Sequence, residues 1–197
     1  MKYDKIFWME DMADWLGYTI KDCAHHGVDK DSLFSRITFA CDYEQGAEIV
    51  NREDFDLYII DGDFPNSTTI GEKEQFANDL ASVNAETELN DLSGEIARNS
   101  LSCNFVKFYR KFLTEKSGDA IIYSGNLIAP QLAFHLDLPF YSKWADEKVT
   151  EWAIRKDGYG EHLMWLLPKG VEMRPPHLLN NWEHGSREDL IKRYLVR

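Results

Sequence analysis

The chain has 197 residues, 44% hydrophobic and 28% charged, enough for one sizeable core and without the bias of a disordered or fibrous chain. A formal net charge of −12 offers no basic face for phosphate backbones, so no nucleic-acid partner is expected. No apolar run approaches membrane-spanning length, and the opening MKYDKIFWMED lacks the features of an export signal, so no membrane association and a cytoplasmic location are expected.

Taken in chain order, Lys5 to Met9 is a short apolar run that stops at Glu10 and Asp11, which reads as a buried strand ending in two acids. Ala13 to His26 carries Trp15, Leu16, Ile20 and Cys23 at helical spacing before Gly27, an amphipathic helix with a glycine stop. Arg36 to Ala40 is a second strand and Glu44 to Asn51 a short helix with Ala47 and Val50 inward. Asp56 to Ile60 is a third strand. Its apolar block Leu57, Tyr58, Ile59, Ile60 runs straight into Asp61, Gly62, Asp63, the pattern of a strand buried on both faces whose carboxyl end lies at a crevice.

After Pro65 the alternation lapses. Residues 72 to 82 and 86 to 116 read as helical, the second with Leu89, Leu92, Ile96, Phe105, Phe108, Tyr109 and Phe112 inward and Gly94 and Asn99 as interruptions. Ala120 to Tyr123 is a fourth strand ending at Ser124, Gly125, Asn126. Leu127 to His135 is a helix that tolerates Pro130 in its first turn. Phe140 to Ser142 is a fifth strand ending at Lys143. Val149 and Trp152 suit a further helix ending near Gly158. Beyond it, MRPPHLLNNWEHG reads as loop and Ser186 as the N-cap of a terminal helix.

Strands alternating with helices predict a doubly wound α/β layer with a mainly parallel sheet and right-handed crossovers. Such a sheet brings Glu10, Asp11, Asp61, Ser124 and Lys143, each just past a strand, to one edge. Clustered carboxylates raise one another's pKa unless a cation sits between them, and magnesium, a hard ion that takes oxygen ligands, suits them. An aspartate free to attack phosphorus would then find the Ser124 hydroxyl and the Lys143 ammonium placed for the phosphoryl oxygens. Polar strand ends and capping aspartates are commonplace in α/β proteins; five suitable types in this order are less so. Cys23, Cys41 and Cys103 are odd in number and lack CxxC spacing, and the histidines lack zinc spacing, so neither set is assigned chemistry.

KIFWMED, DLYIIDGDFP, AIIYSG and PFYSK, in that order, resemble the receiver domains of response regulators over about residues 3 to 65 and 118 to 157. The resemblance implies a flavodoxin-like five-stranded parallel sheet of order 2-1-3-4-5, with inserted helices after the third strand and a C-terminal elaboration. It implies Asp61 as phosphoacceptor, and a magnesium ion on Glu10, Asp11, Asp61 and the backbone carbonyl of Asp63. It further implies Ser124 and Phe140 as switch residues and Lys143 as ion-pair partner of the phosphoryl group. A histidine kinase or phosphotransfer protein and a downstream protein are the partners it suggests, and an exposed face on the last helices could serve a homodimer or pack against the tail. Residues 1–157 would form the receiver-like domain, with the insertion in 66–117, and 158–197 an extension packed on it or used for partner binding. The final stretch of the chain holds Trp144, Trp152, Trp165 and Trp182, of the six tryptophans present, and aromatics suit either packing or interface anchors. Trp144 departs from the family, which commonly has proline after the lysine.

Two other readings stand beside this one. Asp61, Asp63, Ser124 and Lys143 also resemble the haloacid dehalogenase superfamily, with Asp61 as nucleophile, Asp63 as general acid and residues 66–117 as a cap. That leaves Glu10 and Asp11 without a task and its later acidic motif to a poorly placed Asp146 and Glu147. The third reading is a receiver-derived scaffold that is never phosphorylated.

Overall fold

The computed structural model describes residues 3–126, 128–143 and 166–196 apart from 85–103 and 168. The expected helix through Val149 and Trp152, along with Trp144, Asp146, Glu147, Leu89, Leu92, Ile96, Gly94 and Asn99, lies outside the described residues. The elements in order are β1 (Ile6–Met9), α1 (Ala13–His25), α2 (Lys30–Phe34), β2 (Ile37–Ala40), α3 (Tyr43–Arg52), β3 (Leu57–Ile60), α4 (Ile70–Asn84) and α5 (Asn104–Phe108). They continue with β4 (Asp119–Ser124), α6 (Ala129–His135), β5 (Phe140–Ser142), β6 (His184–Ser186) and α7 (Arg187–Leu190). Wide turns prolong α5 over Tyr109–Leu113 and α7 over Ile191–Leu195, and a 3-10 turn, Pro176–Asn181, precedes β6.

All six strands are parallel, in the order β2-β1-β3-β4-β5-β6. The expectation of five is therefore corrected: a sixth strand comes from the C-terminal segment and pairs Phe140 with His184 and Ser142 with Ser186. His184-Gly185-Ser186 is three residues long and holds no β-branched or apolar run, so its strand state comes from pairing along β5 and not from local preference.

The apolar runs feed both faces of the sheet alternately, as a strand's two-residue period requires. Phe7, Met9, Tyr58, Ile60, Ile122 and Phe140 point into one core, packed with residues of α3, α5 and α6. Ile6, Trp8, Leu57, Ile59, Ile121, Tyr123 and Tyr141 point into the other, which Leu16, Ile20 and Cys23 of α1 and Leu190, Ile191 and Leu195 of the C-terminal helix complete. Phe76 and Leu80 of α4 pack against this second core. α1 stops where expected, at Gly27, whose φ of +78° is a conformation glycine adopts without strain. Asp42 caps α3 by accepting from the Gln45 N–H at 2.7 Å, and α2 starts from a cap at Asp29. Among the described residues no helix is long and apolar enough to cross a membrane.

Trp182 fastens the C-terminal segment. Its indole N–H donates to the Leu138 carbonyl at 2.7 Å, and its ring stacks on Phe140 at 6.3 Å and meets Phe134 edge-on at 5.4 Å. Trp182→Ala is expected to cost about 3–5 kcal/mol of unfolding free energy, read from denaturant midpoints of the full chain; a loss within error would mean that the segment is not integral to the sheet.

Candidate functional site

Strand register decides what meets at the carboxyl edge. Met9, Ala40 and Ile60 are level across β1, β2 and β3, so Glu10 and Asp61, one residue further on, emerge side by side. Ile122 is level with Ile60, which carries β4 two residues further to Ser124, in line with Ser142 of β5. Lys143 follows. The main chain holds this edge: the Asp61 N–H donates to the Met9 carbonyl at 3.1 Å, and the Lys143 N–H to the Ser124 carbonyl at 3.1 Å.

The Lys143 ammonium lies 2.8 Å from Glu10 Oε1, 2.7 Å from Glu10 Oε2 and 2.9 Å from Asp61 Oδ2. These groups are buried, with Lys143 3%, Glu10 0% and Asp61 6% exposed. Asp11, half-buried, joins Glu10 and Asp61 in a group whose ligand oxygens all lie within 4.8 Å of one another. Asp61 Oδ1 accepts from the Gly62 N–H at 2.6 Å. Ser124 stands directly against Gly62, since a Cβ on that glycine would fall 2.5 Å from Ser124 Oγ. The Ser124 hydroxyl oxygen accepts from the Asn126 N–H at 3.1 Å.

Five sequence-predicted residues therefore gather here: Glu10, Asp11, Asp61, Lys143 and, behind Gly62, Ser124. Asp63 is half-buried and its side chain is outside the three-carboxylate group. Phe140 sits apart, in the core beneath Trp182. Sequence reading missed two aromatic neighbours of the lysine. Trp15, expected to face the core, is half-buried with its ring centre 5.6 Å from the ammonium, and Tyr123 lies 5.8 Å from it, both in cation–π range. The Tyr123 hydroxyl is itself paired with Thr19 Oγ1 at 2.8 Å. Helical periodicity marks Trp15 only as apolar; nothing local says that a distant cation will lie over it.

Burial pushes the Glu10 carboxyl well above the usual carboxylate range, and Asp61 and Asp11 add to this while Lys143 opposes it. Burial alone would depress the Lys143 ammonium, but the Asp61 and Glu10 carboxylates outweigh it and hold the lysine above its ordinary value. Among the described residues, the Lys143 ammonium meets Glu10 and Asp61, and Asp11 stands beside those two acids. An oxygen-rich, negatively charged group of this kind fits a hard divalent cation such as magnesium.

No protein-family model, no curated protein and no solved structure matches the chain. Fold and site define a parallel α/β protein of general flavodoxin-like form, with a cluster of acids around the buried Lys143 at the carboxyl edge of its sheet.

A pH dependence follows from Glu10. Because its folded pKa is raised, the folded state holds a proton that the unfolded state gives up, so stability falls as pH rises from the ordinary carboxylate range through Glu10's folded value. Lys143 acts elsewhere: its contribution is fully present below 10.5 and is lost only as pH climbs beyond that. In metal-free buffer, thermal melts from mildly acid to mildly alkaline pH are expected to show this decline, and Glu10→Gln to flatten it; an unchanged slope in the variant would refute the assignment.

Proposed function

We propose that the chain is a receiver-like signalling protein in which Asp61 accepts a phosphoryl group in the presence of Mg2+ and thereby alters a protein-binding surface. One observation carries this reading: a buried lysine bridges Glu10 and Asp61 at 2.7–2.9 Å, with Asp11 completing the acid group and Ser124 against the next residue, Gly62. The order of the first five strands, 2-1-3-4-5 within the six, agrees with it.

In this reading an Asp61 carboxylate oxygen attacks the phosphorus of a phosphodonor. A new O–P bond forms as the bond to the donor's leaving group breaks, and the leaving group departs with that electron pair. The product is an aspartyl phosphate. The Lys143 ammonium, already beside Asp61, moves its contact to a phosphoryl oxygen, and the Ser124 hydroxyl, free to turn its proton, donates to another. Glu10, Asp11, Asp61 and the carbonyl of Asp63 would hold the magnesium ion, which supplies charge neutralisation for the incoming phosphoryl oxygens. The donor would be a histidine kinase or phosphotransfer protein, and a downstream protein would read the modified state.

The dehalogenase-like alternative gains little support, because α4 and α5, the described parts of 66–117, pack on the two faces of the sheet. The scaffold alternative has one observation in its favour: Phe140 is stacked beneath Trp182, so the aromatic expected to move is clamped by the C-terminal segment.

Incubating the full chain with a small acyl phosphate and Mg2+, followed by intact mass and peptide mapping, tests the reading. A single phosphate adduct on the Asp61 peptide is expected, absent in Asp61→Asn and formed roughly 10²-fold more slowly in Lys143→Ala. No adduct, with no stabilisation by Mg2+, would leave the scaffold; turnover of a small phosphoester without a stable adduct would favour the hydrolase.

A further inference from the structure

The turn after β6 places an arginine where helix physics does not favour one. Gly185 lets α7 come close, since a Cβ there would lie 2.8 Å from that of Asp189. Ser186 and Asp189 then form a reciprocal capping box that starts the helix. Arg187 is its first residue, at the positive end of the helix dipole, where acidic residues are preferred. A locally unfavourable cation is held there by partners from other elements. Its Nε lies 2.7 Å from Asp22 Oδ2 of α1, its Nη1 donates to the Lys143 carbonyl at 3.5 Å, and its guanidinium carbon is 6.0 Å from the Tyr18 ring centre. The contact to the carbonyl is long, and the ion pair supplies most of the hold.

Trp15, Tyr18 and Asp22 follow at three- and four-residue steps and so share one face of α1. That face receives both edge cations, Lys143 over Trp15 and Arg187 over Tyr18 and against Asp22. We infer that Arg187, delivered by the C-terminal strand and helix, is a positioning residue for Lys143: bridged to Asp22, it fixes the end of β5 so that the lysine reaches Glu10 and Asp61 together. The geometric role stands on its own; its consequence for phosphate uptake rests on the proposed function.

Brief acylation of the full chain with acetic anhydride reads the geometry directly, with Lys116 as internal reference because it is tied elsewhere, to the Val50 carbonyl and Asp54 at 2.7 Å each. Arg187→Ala and Asp22→Asn are expected to raise Lys143 labelling relative to Lys116 by about 10- to 100-fold, as loss of one charge-assisted hydrogen bond implies, with the double variant no worse than either single one. Arg187→Lys is expected not to restore protection, because an ammonium cannot reproduce the fork that meets Asp22 and the carbonyl. An unchanged ratio, a parallel rise at both lysines, or full rescue by Arg187→Lys would each overturn the inference. If Arg187→Ala does not fold, Asp22→Asn decides by the same ratio. Phosphate uptake with acyl phosphate and Mg2+ should slow in the variants that expose Lys143, and normal uptake in them would refute the functional consequence. A wild-type chain that takes no phosphate would instead sink the receiver reading and leave the labelling ratio as the deciding measurement of Arg187's role.

Discussion

One buried ammonium between two buried carboxylates is the constraint around which the carboxyl edge is built. Removing such ions from water costs several kcal/mol each, and their attraction offsets this only when geometry is tightly held. Lys143, Glu10 and Asp61 each follow directly on a strand, β5, β1 and β3, so that geometry is set first by strand register. A slip of one residue in any of the three strands would reverse the face of every side chain and separate the charges. The continuous apolar strands and the two packed faces hold that register. The third acid, Asp11, joins Glu10 and Asp61 in a group of oxygens close enough together that it could also hold a cation.

What the sequence revealed, and what it concealed, follows from the range of each interaction. Apolar runs ending in Glu10, Asp61, Ser124 and Lys143 are local patterns, and the parallel alternation carries them to one edge without further information. The caps at Asp42 and Ser186 are local too, although only the second was recognised. β6 was missed because Gly185 and Ser186 have no intrinsic taste for a strand, and α2 because five residues hold too little periodicity to be seen. Trp15 and Arg187 were hidden for a different reason. An aromatic on a helix reads as core and an arginine on a terminal helix as solvent-exposed, until the fold brings Lys143 between them.

The C-terminal segment changes the character of the fold more than its length suggests. In a five-stranded sheet β5 would be an edge, with unpaired backbone groups open to other chains. Here β6 takes those groups, and a further cluster fastens the helix that follows: Glu183 accepts from the Tyr141 hydroxyl at 2.7 Å and from the Tyr194 hydroxyl, and pairs with Arg193 at 3.0 Å. Tyr194 also stacks on Tyr3, tying the last turn to the residues before β1. Free edge, terminal helix and N-terminal strand are thereby joined in one packed unit.

Under the proposed function, such closure would bear on how a change at Asp61 spreads. Phe140 lies under Trp182, whose other ring contacts are Phe134 and, stacked at 5.1 Å, His184 of β6. Its indole is also tied to the Leu138 carbonyl. A rotamer change at Phe140 would therefore meet the Trp182 ring, and Trp182 lies two residues before β6. From β6 such a change would reach Ser186, Arg187 and the bridge to Asp22 on α1. Under the proposed function, a phosphoryl group at Asp61 that drew Ser124 and Lys143 toward it would act on these same contacts from their other end, because Arg187 meets the Lys143 carbonyl just past β5. In closely packed interiors small displacements pass as discrete rearrangements and are not absorbed. Under that reading, β6 and α7, outside the five-stranded unit that the sequence resembles, are the described elements through which a change at Asp61 would pass.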